Sequence, residues 1–233
     1  MGMGGHARLT QDLPQLLPSN AVHMIANQMT DQDWNIMEEF RQQEVWPVVQ
    51  ARRYSDAIEV LYRRLETETK HCRRIFVLRE LAYLLVASGR DDESLSVTRQ
   101  MIEIDPHDPL NWARLAGWYF WGHRRDKGKP DTLIAALNAI DEAVRCGRVR
   151  DRHNLRQCLN DRCRIVVAMK RWDLLEESLR EILENRREQG IQFEDDFLRR
   201  VPEDAVDAKV MAAYKALLAR QAEVRRRRSP PDY

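Results

Sequence analysis

Apolar residues recur with the 3.6-residue period of an α-helix over most of the chain, and no segment alternates apolar and polar residues as a half-buried strand does. The 233 residues include only 9 Gly and 9 Pro, which is few for the many turns of a sheet protein. Hydrophobic residues make up 43% of the chain, which excludes a wholly disordered or collagen-like class. The sequence therefore predicts an all-α protein.

The clearest internal pattern is the segment 112–119, with the sequence Trp-Ala-Arg-Leu-Ala-Gly-Trp-Tyr. It resembles the tetratricopeptide (TPR) signature W-x2-L-G-x2-Y, with Ala116 in place of the glycine. The segment 136–143 resembles the second-helix pattern A-x3-F-x2-A of the same family, and the preceding unit, 78–106, ends on the usual Asp-Pro. This resemblance implies a TPR-like α-solenoid of antiparallel helix pairs, stacked so that one surface is concave.

Four units follow one another when their second helices are aligned on Ala57, Ser94, Ala136 and Leu175. These residues are 37, 42 and 39 positions apart, whereas the family period is about 34 residues. A repeat array accepts insertions between helices more readily than within them, so we expect the extra residues in turns. The predicted turns are 67–74, 122–131 and 147–155.

The predicted organisation has five parts along the chain. They are an irregular N-terminal lead-in (1–19), a helical repeat domain (20–186), a charged linker (187–201), a C-terminal capping helix (202–226) and a frayed tail (227–233). Within the repeat domain, Thr30 to Asp33 has the capping-box pattern of a helix start. Pro47 predicts a kink or a break in that helix, because proline lacks an N–H donor and disfavours the helical conformation of the residue before it.

In TPR proteins the inward-facing positions of each first helix carry the ligand contacts. Mapping those positions onto this sequence gives a predicted groove of Trp46, Arg79, Tyr83, Arg114, Phe120, Trp121, Asn160 and Arg164. Arginines beside aromatic side chains suit a peptide or helix with acidic and apolar residues. Core packing is the open alternative for the aromatic members. A heat-shock-tail ligand is disfavoured, because Gln42 and Trp46 stand where the chaperone-binding members have Lys and Asn.

The chain carries 38 Lys and Arg against 37 Asp and Glu, so no overall field draws it to nucleic acid or to an anionic membrane. Basic residues nevertheless form two local clusters, Arg124, Arg125, Lys127 and Lys129 in one and Arg225, Arg226, Arg227 and Arg228 in the other. They are consistent with a solvated loop and a helix end matched to the helix dipole, or with contacts to phosphates. A nucleic-acid-associated regulatory protein is therefore the alternative function.

No residue pattern in the sequence indicates a metal or catalytic site. Cys146, His153, Cys158 and Cys163 fall within 18 residues, but they contain no C-x2-C pair. The last two are about 140° apart around a helix, by the 3.6-residue period. The chain also lacks a P-loop, G-x-G-x-x-G, G-x-S-x-G and H-E-x-x-H. We therefore expect no cofactor, no metal and no enzymatic activity.

The sequence as a whole predicts a non-catalytic protein–protein interaction module, acting as an adaptor, a scaffold or a chaperone. Its expected location is the cytoplasm, because cysteines are sparse and the first residues lack the order of a secretory signal. The longest apolar run, 81–87, is far shorter than the roughly 18 residues needed to span a bilayer, so no membrane contact is expected.

Overall fold

The structure, a computed structural model, describes residues 29–125, 130–150, 152–184 and 197–228. Every regular element within these ranges is a helix. The chain divides into two compact units, one ending at Pro106 and the other beginning at His107. The lead-in 1–19, the residues Lys127 and Lys129, most of the predicted linker and the last five residues of the tail lie outside the described ranges. None of the described helices is long and apolar enough to cross a membrane.

The first unit is built from helices that follow one another through short turns. They are α1 (Asp31–Phe40), a π-helical turn (Arg41–Val45), α2 (Trp46–Gln50), α3 (Tyr54–Thr67), α4 (His71–Ala87) and α5 (Asp91–Ile104). Helix α4 packs against both α3 and α5. Together with α1 they form one core, which contains the fully buried side chains of Met37, Ile58, Leu61, Leu78, Leu81, Leu85 and Met101.

Helix α1 starts where the capping-box pattern predicts. The backbone N–H of Asp33 donates to Thr30 Oγ1 at 3.1 Å, which satisfies one of the free donors of the first turn. In return, the Thr30 hydroxyl donates to Asp33 Oδ2 at 2.8 Å. The predicted helix start is confirmed.

Pro47 does not break its helix, because a π turn precedes it. The N–H of Trp46 donates to the carbonyl oxygen of Arg41, five residues earlier instead of four. Pro47 then occupies the first turn of α2, the position at which a helix tolerates proline. The backbone therefore stays helical from Asp31 to Gln50, and the predicted kink or break takes the form of this wider turn.

A buried carboxylate ties α1 to the start of α4. Asp33 Oδ1 accepts hydrogen bonds from Lys70 Nζ at 2.8 Å and from Arg73 Nε at 2.7 Å. The hydrogen bonds from Lys70, Thr30 and Arg73 stabilise the ionised form and hold the pKa of the Asp33 carboxyl well below its usual range. The two cationic partners are about 40 residues away in the sequence, so no local sequence pattern predicts this cluster.

The second unit consists of the remaining helices. They are α6 (Pro109–Arg125), α7 (Pro130–Arg150), α8 (Arg152–Ala168), α9 (Trp172–Glu184), a 3-10 turn (Leu198–Arg200) and α10 (Ala208–Arg228). Helix α7 packs against α6 and α8, α9 packs against α8, and α6 also contacts α8. Helix α10 packs against α9 and covers the end of the array, as a capping helix does.

The helices pair as the repeat pattern predicts, and small residues lie where the two members of a pair meet. The small-residue positions of the first helices, Ala82, Ala116 and Cys163, are fully buried. In the α4–α5 pair, the Ser94 hydroxyl donates to the carbonyl oxygen of Ala82 at 3.0 Å. A side-chain bond to the backbone of the facing helix requires a close approach, which only small residues permit.

A buried arginine joins the last three repeat helices. Arg162 follows Leu159 and precedes Cys163 on α8, at the position where the TPR signature has its leucine. Its Nε donates to Asp141 Oδ1 on α7 at 2.7 Å, and its Nη1 donates to Ser178 Oγ on α9 at 2.7 Å. This guanidinium bridges neighbouring helices that an apolar side chain would only pack against.

The extra residues of the longer units do not all lie in turns, so that prediction is partly wrong. Helix α6 continues through Gly122 to Arg125, and α7 continues through Gly147 to Arg150. Gly147 serves as a contact and not as a helix end, because a Cβ built on it would lie 3.0 Å from the Cα of Leu155. The bond from Arg148 Nη2 to Glu181 Oε2, at 2.7 Å, further ties this last turn of α7 to α9.

We predict that Gly147→Ala destabilises the fold by about 1 kcal/mol, because its methyl group meets the backbone of α8 and the cost of overpacking exceeds the gain in helix propensity. Gly117→Ala is the matched control, since a Cβ there meets no atom within 4 Å. This control should stabilise the fold by up to about 1 kcal/mol. Urea unfolding measures both changes, and a Gly147→Ala protein as stable as the control would contradict the proposed helix contact.

We also predict that Asp33→Asn lowers the urea midpoint at pH 7, because Lys70 and Arg73 lose their shared carboxylate. The pKa of Asp33 is lower in the folded state than the value near 3.9 of an unfolded chain. Its contribution is therefore fully present above the unfolded pKa and is lost as the pH falls through the folded pKa. The difference in midpoint between wild type and variant should be smaller at pH 3 than at pH 7.

The control for this measurement is Asp31→Asn, which changes an exposed carboxylate in the same first turn of α1. Its effect on the midpoint should be small at pH 7. A difference for Asp33→Asn that is equal at both pH values would show that the ionised carboxylate does not stabilise the α1–α4 contact.

Candidate functional site

A cavity of about 430 Å³ lies in the second unit between the two first helices, α6 and α8. We call it the α6–α8 cavity. Its lining includes Ala113 and Gly117 from α6 and Ile165 and Val167 from α8. Ala113 and Gly117 are one helical turn apart on the same face, so their small size leaves the space that the cavity occupies.

Two aromatic residues at the end of α6 form one wall of this cavity. The rings of Phe120 and Trp121 are 6.3 Å apart between centroids and meet edge to face at 64°. Trp121 is 59% exposed. The guanidinium of Arg124 lies over the indole ring of Trp121, 4.9 Å from its centroid. A large aromatic surface left open to water beside a cavity lined by both apolar and charged residues is typical of an interaction site.

Three arginines from three separate elements lie around the cavity. They are Arg124 on α6, Arg164 on α8 and Arg200 in the 3-10 turn. Asp161 is the one carboxylate among the described lining residues, and its Oδ1 accepts a hydrogen bond from Arg164 Nη1 at 3.2 Å. Within the described parts of the chain, Arg124 and Arg200 form no ion pair with a carboxylate. The lining is therefore positively charged overall and attracts anions.

The structure brings three of the predicted groove residues together in this cavity, namely Phe120, Trp121 and Arg164. Arg114 is half-buried on α6 and does not line the cavity. Asn160 lies one turn before Arg164 on α8 but is only 1% exposed. Its surroundings are those of a residue between helices and not of an open groove.

The other predicted groove residues belong to the first unit. Arg79 is buried on α4, with 8% of its surface exposed, and Tyr83 is half-buried one turn later. Burial raises the pKa of the Tyr83 hydroxyl. Trp46 is half-buried on α2, with the guanidinium of Arg41 5.9 Å from its ring centroid.

Several lining residues were not identified from the sequence as groove residues. Ala113 and Gly117 could have been identified from the sequence, because two small residues one turn apart on the helix with the TPR signature predict a depression in its surface. Arg124 was assigned to a basic cluster; Lys127 and Lys129 of that cluster, and the side chains of Arg125 and of residues 225–228, lie outside the described structure. Phe197 and Arg200 had no local signal, because they reach the cavity from the predicted linker.

Three of the four cysteines lie in the core. Cys146, Cys158 and Cys163 are buried, and all four cysteines are free thiols. Burial raises the pKa of the Cys163 thiol to about 12, so it remains a neutral group that packs between helices. Among the described residues, no group of three His, Cys, Asp or Glu side chains is arranged to hold a metal ion.

Comparison with known proteins gives a likeness of fold. No family model matches the sequence, and no curated protein matches it. The structure is similar to that of MamA protein, with a TM-score of 0.51 at 11% identity over 88% of this chain and 100% of that one. It is also similar to kinesin light chain TPR-like repeats from Podosopora anserina, with a TM-score of 0.52 at 15% identity over 82% of this chain and 98% of that one.

A second structure of those repeats gives a TM-score of 0.51 at 14% identity, over 79% of this chain and 97% of the other. At such low identities the likeness concerns the fold alone. It extends over most of the chain and agrees with the helix pairs, the buried small residues and the capping helix described above. The chain therefore has the all-α, TPR-like helical-repeat fold that its sequence predicts.

Proposed function

We propose that this protein is a non-catalytic protein–protein interaction module whose α6–α8 cavity binds a partner segment with acidic and apolar residues. Its TPR-like neighbours suggest an interaction module. The observation that carries the proposal is the exposed Trp121, which lines a cavity whose other lining residues are apolar side chains, three arginines and one aspartate. An adaptor, a scaffold or a chaperone would each use such a site.

The size and the charge of the cavity define what it accepts. Its volume of about 430 Å³ lies in the range of typical ligand sites, about 300 to 1,000 Å³, and suits one bulky side chain with its adjoining backbone. A whole helix, about 10 Å wide, is too large to enter it, although a helix could present such a side chain. Carboxylates beside that side chain would reach the guanidinium groups, which bind them in a bidentate manner.

The proposed location is the cytoplasm, and no cofactor takes part. Four free thiols, three of them buried, suit a reducing compartment. The proposed activity needs only an apolar contact and charge-assisted hydrogen bonds, which the side chains of the cavity supply themselves.

Nucleic acid is the second candidate ligand, and one contact favours it. An exposed indole with an arginine over its face, as in Trp121 and Arg124, is also the kind of surface on which unpaired bases stack. The net charge of +1 for the whole chain argues for a protein partner, because single-strand binding depends on an extended basic groove.

We predict that Gly117→Leu weakens binding at least about tenfold, which corresponds to about 1.4 kcal/mol, because the new side chain fills the cavity. The probe is a fluorescein-labelled peptide in which one tryptophan is flanked on each side by two glutamates, and fluorescence polarisation measures its Kd. A Cβ at Gly117 has no atom within 4 Å, so the helix accepts a side chain there, and the urea midpoint of the variant checks that it folds. Gly117→Ala is the control and should retain binding.

Two further probes separate the contributions of shape and charge. Peptides with serine in place of the tryptophan, or with glutamine in place of the glutamates, should both bind more weakly than the parent peptide. A folded Gly117→Leu protein with undiminished affinity would place the site elsewhere. Tight binding of a labelled single-stranded oligonucleotide at physiological salt, lost in the same variant, would favour the second candidate.

A further inference from the structure

We infer that the capping helix α10 is part of the binding machinery, because it holds Phe197 and Arg200 in place as the third wall of the α6–α8 cavity. This inference rests on the proposed function and goes beyond it. The repeat helices alone supply two walls of the cavity. The segment after them supplies Arg200, which binds a second carboxylate of the partner. Binding of the partner and docking of α10 are therefore coupled.

Phe197 is the point where the segment joins the cavity. Its side chain is only 3% exposed although it follows the last repeat helix, and it belongs to the cavity lining. Its ring lies 6.2 Å from the ring of Tyr214, at a tilt of 37°. Tyr214 is fully buried on α10, so the aromatic contact that positions Phe197 comes from the capping helix.

A short 3-10 turn connects Phe197 to Arg200 and fixes the backbone between them. The N–H of Arg200 donates to the carbonyl oxygen of Phe197 at 3.0 Å, and the N–H of Val201 donates to that of Leu198 at 3.1 Å. Arg200 is thus fixed one turn from Phe197, with its side chain exposed at the edge of the cavity. Its neighbour Arg199 is also exposed but does not line the cavity, so the turn directs only one of the two guanidinium groups to the site.

The first half of α10 is anchored firmly enough to act as a support. The N–H of Asp207 donates to Glu176 Oε2 on α9 at 3.1 Å. Asp207 Oδ1 in turn accepts from the N–H groups of Lys209 and Val210, which caps the start of the helix. Val206 and Val210 are buried beside this cap. The cavity wall is therefore supported by a few residues between 206 and 214.

This arrangement specifies the partner more closely than the repeat helices do. Arg124 belongs to α6 and Arg200 to the segment after α9, so the two guanidinium groups reach the cavity from different elements. A ligand with carboxylates on both sides of its bulky apolar residue can therefore pair with each of them. A ligand that contacts Arg200 binds only the form in which the segment is docked. By linkage, it stabilises that docked form by as much as docking strengthens its binding.

Arg200→Ala tests the third wall directly, with Arg199→Ala as the matched control. With the peptide probe described above, we expect Arg200→Ala to weaken binding at least about fivefold and Arg199→Ala to leave it unchanged. A peptide with glutamates on only one side of its tryptophan should bind more weakly to wild type. The two one-sided peptides carry their glutamates before or after the tryptophan. One of them should bind Arg200→Ala as tightly as it binds the wild-type protein.

Hydrogen exchange tests the coupling to α10. In the wild-type protein, saturating peptide should slow exchange of the backbone amides of residues 208–214. The same peptide should leave these amides unchanged in Gly117→Leu. Tyr214→Ala should raise their exchange in the absence of peptide and weaken peptide binding.

The outcomes separate this inference from the proposed function. If Gly117→Leu abolishes binding while Arg200→Ala binds normally and the amides of α10 do not respond to peptide, the proposed function stands and the inference is wrong. If the peptide does not bind the wild-type protein, or binds Gly117→Leu equally well, both are overturned. A response of α10 together with a loss of affinity on Arg200→Ala supports the inference.

Discussion

The close approach of paired helices at small residues is the constraint on which the rest of this structure depends. Where a small side chain lies opposite the facing helix, the two backbones come near enough for Ser94 to reach the carbonyl of Ala82, and for Gly147 to lie against Leu155. Large apolar residues around these contacts then fill the core. Small residues also line the cavity between α6 and α8. Ala113 and Gly117 are small residues of this type on the open side of α6.

Arg162, Arg124 and Arg200 have different roles because their surroundings differ. Arg162 is buried and satisfied by partners on two other helices, so it fixes the relation of α7, α8 and α9. Arg124 and Arg200 lie at the edge of a cavity, in contact with water, where a guanidinium without a carboxylate costs little. These exposed groups can therefore pair with carboxylates of a partner without loss of fold stability. Sequence alone does not distinguish the two kinds, because all three are arginines on or next to helices.

Local patterns were sufficient to predict the fold. The capping box at Thr30, the small position at Ala116 and the 3.6-residue period each concern residues within a turn or two of one another, where propensity and packing act together. The features that sequence reasoning missed depend on residues far apart in the chain. Asp33 meets its cations about 40 positions later, and Phe197 meets Tyr214 across a turn and half a helix. Such contacts depend on how the helices dock, which no short pattern encodes.

The most direct test of the central claim is to locate the peptide on the protein through its tryptophans. The chain has six, so labelling with 5-fluorotryptophan gives six fluorine resonances, and the resonance missing from Trp121→Phe identifies Trp121. On titration with the acidic peptide, whose own tryptophan carries no fluorine, the account predicts that the Trp121 signal shifts most and saturates together with binding. A Trp121 signal that stays in place while those of Trp34 or Trp46 move would put the site in the first unit and contradict the account.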